Sequence, residues 1–90
     1  MAILVKKFGG SSVATPEKIH GIVNRVLKEK KPGDKIVIVV SAMGDSTDDL
    51  LALAGRVNPE MPKRELDMLL ATGEQVTIAL MAGAFWAKGQ

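Results

Sequence analysis

"KIVIVV", residues 35–40, sets five aliphatic residues in a row behind a single lysine. A strand with one wet face alternates apolar and polar residues. An unbroken apolar run of this length instead fits a strand covered on both faces, as in the middle of a parallel sheet. A parallel strand reaches its partner through a crossover, so the upstream sequence should supply a helix and another strand. It does. "KPGDK" (31–35) turns the chain. Before it, Ile19, Ile22, Val23, Val26 and Leu27 recur at the i, i+3, i+4, i+7, i+8 spacing of an amphipathic helix. Thr15 fits the N-cap and Pro16 the first helical position. Glu17 suits the positive end of the dipole, and Lys28, Lys30 and Lys31 the negative end. Further upstream, Ala2 to Phe8 reads as a short buried strand that stops at Gly9 and Gly10. Its alternation puts Ile3, Val5 and Lys7 on one face and Leu4, Lys6 and Phe8 on the other. The pattern is a βαβ unit and the class is α/β.

Downstream, "SAMGDST" (41–47) is a loop, and Ser46 with Asp49 has capping-box spacing. The helix that follows carries Leu50, Leu51, Leu53, Ala54 and Val57, and "NPEMP" (58–62) ends it. Lys63 to Leu70 reads as helix again, with Leu66, Leu69 and Leu70 inward. Gly73 then interrupts the pattern, and Thr72 with Gln75 repeats the capping-box spacing. The reading therefore divides this segment into one helix ending near Ala71 and another beginning near Gly73. The last helix carries Val76, Ile78, Leu80, Met81, Ala84 and Phe85 and stops at Lys88-Gly89. The expected order is strand, helix, strand and three helices. Two parallel strands make a poor sheet, so these residues are expected to be the N-terminal piece of a larger α/β domain.

The bulk properties narrow the classes. The chain has 90 residues, 47% hydrophobic and 24% charged, with a net charge of +2. That is a soluble globular balance, and the charge is too small and too dispersed to argue for nucleic acid. Zero cysteines exclude disulfides and thiolate metal sites and fit a reducing compartment. No apolar stretch approaches the roughly 20 residues that span a bilayer. "MAILVKK" (1–7) sets its charges after its apolar residues, the reverse of a secretory signal. The expectation is a cytoplasmic protein with neither a membrane nor a nucleic-acid partner.

Both loops follow the C-terminal ends of parallel strands, so both should open on the sheet edge where α/β proteins bind ligands. In the first, Gly9 and Gly10 let backbone N–H groups approach an anion, and the next helix adds its dipole. The motif is neither a Walker loop nor a Rossmann fingerprint, because the lysine precedes the glycines and the glycines are adjacent. Lys7 would set a cation over that loop, useful in phosphoryl transfer, where catalysis is mostly positioning and electrostatics. Without a ligand, the same residues read as a tight turn beside a surface lysine. In the second loop, Ser41 and Thr47 offer hydroxyls, and backbone N–H groups could serve a carboxylate or phosphate. Asp45, Asp48 and Asp49 read as helix-capping and dipole-compensating acids in preference to a metal site. Glu74 has the same bland role open to it, in the first turn of the last helix. His20 reads as a surface residue, Trp86 as packing or interface, and the methionines as core filler.

Three motifs, "KFGGSS" (7–12), "VVSAMGDSTD" (39–48) and "PKRELDMLLATGEQ" (62–75), together resemble the aspartokinases of the amino-acid kinase superfamily. They stand in the family's order and spacing, and the resemblance covers essentially the whole chain. It implies the N-terminal portion of a three-layer αβα sandwich with a mainly parallel sheet. It also implies transfer of the ATP γ-phosphoryl group to L-aspartate with Mg²⁺, giving 4-phospho-L-aspartate for lysine, threonine and methionine synthesis. By the resemblance, Lys7 contacts the transferred group, and Phe8, Gly9 and Gly10 complete the ATP-phosphate loop. Ser41 sits beside ATP and substrate, while Thr47 and Glu74 bind the amino acid. The two loops are thus expected to clasp the nucleotide's phosphates and a small acidic metabolite in one hollow. The metal is expected to be held through the nucleotide, with no protein ligand of its own. The family's later glycine-rich segment with a catalytic aspartate, its nucleotide-base pocket and its ACT regulatory domains match nothing in these 90 residues, so the isolated chain should be inactive. A homo-oligomer is expected. Kinases of glutamate, acetylglutamate or carbamate share the glycine-loop logic but fit the second and third motifs less well. A non-catalytic, self-associating α/β fragment is the reading from outside the enzymes.

Overall fold

In the computed structural model, which describes residues 2–90, strands β1 (Ile3–Phe8) and β2 (Lys35–Val40) pair in parallel, with Ile3 opposite Lys35 and Phe8 opposite Val40. The first strand starts one residue later than expected, although Lys35 N–H still donates to the Ala2 carbonyl oxygen at 2.8 Å. Exposure alternates along both strands. Leu4, Lys6, Phe8, Ile36, Ile38 and Val40 are half-buried on one face, and Ile3, Val5, Lys7, Val37 and Val39 are exposed on the other. The apolar run in β2 is therefore covered on one side only. Val37 and Val39 keep 48% and 43% of their surface open because the core lies entirely on the opposite face. Residues 2–90 thus supply one helical layer and the sheet of the expected sandwich.

That layer begins with α1 (Pro16–Glu29). Thr15 Oγ1 accepts from Lys18 N–H at 3.2 Å, so the predicted N-cap forms, with Pro16 in the first position. Ile19, Ile22, Val23 and Val26 are buried, each contributing about 1.5–3 kcal/mol of transfer free energy. They form one core with Val13, Met81 and Ala84, against which Phe8, Leu27, Ile36, Ile38, Val40, Met43 and Phe85 pack. After α1 the chain reverses at Gly33, whose φ of 85° is the left-handed conformation glycine tolerates. Asp34 secures the turn, accepting from Lys31 N–H at 3.0 Å and from Ala2 N–H at 3.2 Å.

Helix α2 (Ser46–Val57) starts differently from expectation. Ser46 is its first residue rather than its cap, and no side chain caps the helix, so the Ser46–Asp49 capping box does not form. The loop itself provides the acceptors: Ser46 N–H donates to Met43 O at 2.9 Å and Asp49 N–H to Asp45 O at 3.0 Å. Only Ala54 of this helix is buried, while Leu51, Leu53 and Val57 are exposed.

The larger correction is α3, one unbroken helix from Lys63 to Ala87. Thr72 caps nothing; its hydroxyl donates to the Leu69 carbonyl at 2.6 Å inside the helix. Gly73 is buried rather than helix-ending, because a Cβ there would lie 3.1 Å from that of Ala42. Close approach, not a break, explains the glycine. The helix does end as predicted, with Gly89 at φ 83° after Lys88. Its second half is apolar all round: Val76, Ile78, Leu80 and Trp86 are exposed while Thr77, Met81 and Ala84 are buried. Trp86 is 80% exposed, outside the core, and Met68 is likewise open rather than core filler. Undivided, α3 is long and apolar enough to cross a membrane by length and composition, a property the two-helix reading had hidden and one shared by core helices of soluble proteins.

Candidate functional site

Parallel pairing brings the C-terminal ends of β1 and β2 to one rim, and the backbone stitches the two loops together there. Ser41 N–H donates to Phe8 O at 3.3 Å, and Gly44 N–H to Gly10 O at 2.9 Å. Past Phe8 the chain is extended at Gly9 and then closes a 3-10 turn, Gly10–Val13, with Ser12 N–H on Gly9 O at 3.1 Å. Val13 anchors that turn, fully buried. The backbone N–H groups of Gly9, Gly10 and Ser11 donate to no acceptor among the described residues. A Cβ at Gly9 would meet nothing within 4 Å, so space lies open above the loop. At Gly10 a Cβ would fall 2.8 Å from the Ala42 carbonyl oxygen. Free amides, open space and a position restricted to glycine fit a phosphate group.

The two neighbouring lysines are divided by the strand's alternation. Lys6 faces the helices, its Nζ 2.8 Å from Glu29 Oε2. That hydrogen bond, followed by the charge of Lys6, holds the Glu29 carboxyl below the ordinary glutamate range. Arg25 adds a cation 5.7 Å from the centre of the Phe8 ring. Lys7 stands exposed on the bare face, with neither an ion pair nor a side-chain hydrogen bond among the described residues. A cleft of about 400 Å³ at this end of β1 is lined by Lys6, Lys7, Phe8, Arg25 and Glu29.

The second loop leads to α3. Ser41 is half-buried and Ala42 buried, while Thr47 is exposed in the first turn of α2. Gly73 meets Ala42, with Leu50 Cδ1 at 3.4 Å and Ser46 Cβ at 4.0 Å from its Cβ position. This contact carries Glu74, the next residue, to the loop. Glu74 lies in the middle of α3, so compensating a helix N-terminus is not its role. Asp48 and Asp49 do occupy a first turn, that of α2. No group of three His, Asp or Glu side chains among the described residues could hold a metal ion.

Among the described residues, the two clefts at this rim do not merge into the expected common hollow. Ser46, Asp49, Leu50, Thr72, Gly73 and Val76 line a depression of about 260 Å³ that is separate from the Lys7 cleft. Ser41, Thr47 and Glu74 line neither. A two-stranded sheet bare on one face gives the rim no opposing wall, so the predicted residues share an edge without enclosing a volume. Phe8, next to Lys7, accepts from Ser41 N–H, and Gly73, next to Glu74, packs on Ala42, the residue after Ser41. The packing on Ala42 carries no local sequence signal, because its two glycine neighbours lie 32 residues before and 31 residues after it.

Comparison with known proteins identifies the family. The sequence matches the amino acid kinase family over residues 2–90. It is 55% identical over 89 residues to an aspartokinase of Bacillus sp. (strain MGA3), covering 99% of this chain and 22% of that protein. Aspartokinase 2 of Bacillus subtilis (strain 168) is 54% identical with the same coverage. The chain therefore spans about a fifth of the length of these curated relatives. The crystal structure of aspartate kinase from Synechocystis superposes with a TM-score of 0.92 at 48% identity, over 100% of this chain and 15% of that one. Family match, relatives and superposition all run across the strand-loop-helix units described above, and the chain belongs to the amino acid kinase family.

Proposed function

We propose that the protein containing this chain is an aspartokinase, and that residues 1–90 form the N-terminal portion of its catalytic domain. The observation that carries the reading is the set of amides at Gly9, Gly10 and Ser11, without acceptors among the described residues, beside Lys7, which has no ion pair among them, and on the rim shared with Ser41. Relatives named aspartokinase at 54–55% identity support the choice of L-aspartate as acceptor.

On this reading the loop amides hold the terminal phosphates of ATP, and Phe8, Gly9 and Gly10 shape the loop. An oxygen of the aspartate side-chain carboxylate attacks the γ-phosphorus. The bond from that phosphorus to the β–γ bridging oxygen breaks, and ADP leaves with the electron pair. Lys7 lowers the barrier by balancing charge on the transferred oxygens. Ser41 donates a neutral hydrogen bond beside the reacting groups. Thr47 and Glu74 orient the amino acid, the Glu74 carboxylate taking the α-ammonium group. Mg²⁺ carried with the nucleotide would supply further charge neutralisation. The product, 4-phospho-L-aspartate, is the first intermediate toward lysine, threonine and methionine. A cytoplasmic homo-oligomer with ACT regulatory domains completes the proposed protein, and the chain by itself is inactive.

The test is acceptor selectivity in the full-length protein. With Mg-ATP, ADP release and hydroxylamine-trapped acyl phosphate should depend on L-aspartate, with little turnover of glutamate, N-acetylglutamate or carbamate. Preference for one of those acceptors overturns the assignment.

A further inference from the structure

We infer that Ala42 is a positioning residue that sets the spacing between the phosphate loop and the helix bearing Glu74, an inference that rests on the functional reading above. Ala42 is only 4% exposed although it sits in a loop at the sheet rim. Two glycines far apart in sequence close on it from different elements. A Cβ at Gly10 would lie 2.8 Å from its carbonyl oxygen, and one at Gly73 would lie 3.1 Å from its methyl. At Gly10 backbone must shift to admit a side chain, and at Gly73 the Ala42 methyl must give by a few tenths of an ångström. The Gly44 N–H bond to Gly10 O, 2.9 Å, also holds the first loop against the second.

Each partner of Ala42 adjoins a residue with a proposed role. Gly10 belongs to the amide cradle, Ser41 precedes Ala42, and Glu74 follows Gly73. One methyl and one carbonyl thus fix how far the amino-acid subsite stands from the transferred phosphoryl group. Misplacement of about 1 Å between reacting groups is enough to slow a reaction by orders of magnitude. Helix propensity cannot stand in for this effect, since alanine is a better helix former than glycine.

The experiment uses Gly73→Ala, Ala42→Gly and the double variant in the full-length enzyme, with two readouts: KM for L-aspartate at saturating Mg-ATP, and hydrogen exchange at the Gly44 amide. Gly73→Ala should raise KM for aspartate about tenfold with a smaller change for ATP, and should speed exchange at Gly44. Ala42→Gly in that background removes the methyl that the new Cβ meets, and should restore most of both. A Gly73→Ala protein that folds only alongside Ala42→Gly also supports the spacer; one that folds in neither background counts against it. Unchanged KM and exchange in Gly73→Ala, or changes that Ala42→Gly leaves in place, overturn the inference. If the unsubstituted enzyme turns over no aspartate, the functional reading falls, and Gly44 exchange still decides whether Ala42 sets the spacing.

Discussion

Lys6 and Lys7 are adjacent in sequence yet stand on opposite faces of β1. Lys6 lies 2.8 Å from Glu29 on the helix-covered side, and Lys7 is exposed on the bare side. The strand's two-residue period makes this division unavoidable. It also separates two uses of one side chain: the first lysine ties β1 to the end of α1, and the second remains available to an anion at the rim. Each use has its own measurable consequence.

The Lys6–Glu29 pair should be visible as a pH-dependent stability term. The folded-state pKa of Glu29 is lowered, chiefly by the hydrogen bond from Lys6. Its contribution is therefore present above the unfolded glutamate value of about 4.3 and is lost as the pH falls through the folded value. Glu29→Gln should lower the thermal midpoint slightly at neutral pH, and the gap should close on acidification and narrow with added salt. A gap that persists in acid would contradict the pairing.

Two valines test the one-sided sheet. Val23 is fully buried in the α1 core, and Val5 is 67% exposed on the bare face. Val23→Ala should cost about 2 kcal/mol in chemical denaturation. In the 90-residue chain, Val5→Ala should change stability by less than about 0.5 kcal/mol. Equal losses would mean that the face carrying Val5 is covered.

The glycine pair should split in the same way. Alanine at Gly10 meets the Ala42 backbone oxygen at 2.8 Å, which cannot swing aside, so Gly10→Ala should cost roughly 1–3 kcal/mol. Gly9 has extended backbone and open space, so Gly9→Ala should be nearly silent in stability. Denaturation midpoints of the two variants check the contrast; similar values would contradict it.

Much of this fold is legible in the sequence. The 3.6-residue period of Ile19, Ile22, Val23 and Val26, and the Thr15-Pro16 start, are local signals, and α1 obeys them. So is the alternation of β1. What local reading could not supply was tertiary contact. Thr72-Gly73 carries every mark of a helix boundary, yet α3 runs through it because packing on Ala42 overrides propensity. Ser46 has a capping partner at the right spacing, but the preceding loop provides backbone acceptors first. The proposed site residues come from motifs, and the rim shared by their loops from parallel topology. The Gly10–Ala42–Gly73 contact was invisible, since nothing in a small residue's neighbours announces what will pack on it.

The central claim is that Lys7, not Lys6, faces the transferred phosphoryl group over the free amides of the glycine loop. Steady-state ADP formation by full-length Lys7→Ala and Lys6→Ala, with Mg-ATP and L-aspartate, tests it most directly. Lys7→Ala should lose about 10²–10³-fold in kcat while staying folded, and Lys6→Ala should keep activity within a few-fold of the parent. Undiminished turnover in Lys7→Ala, or a deeper loss in Lys6→Ala, would contradict the account.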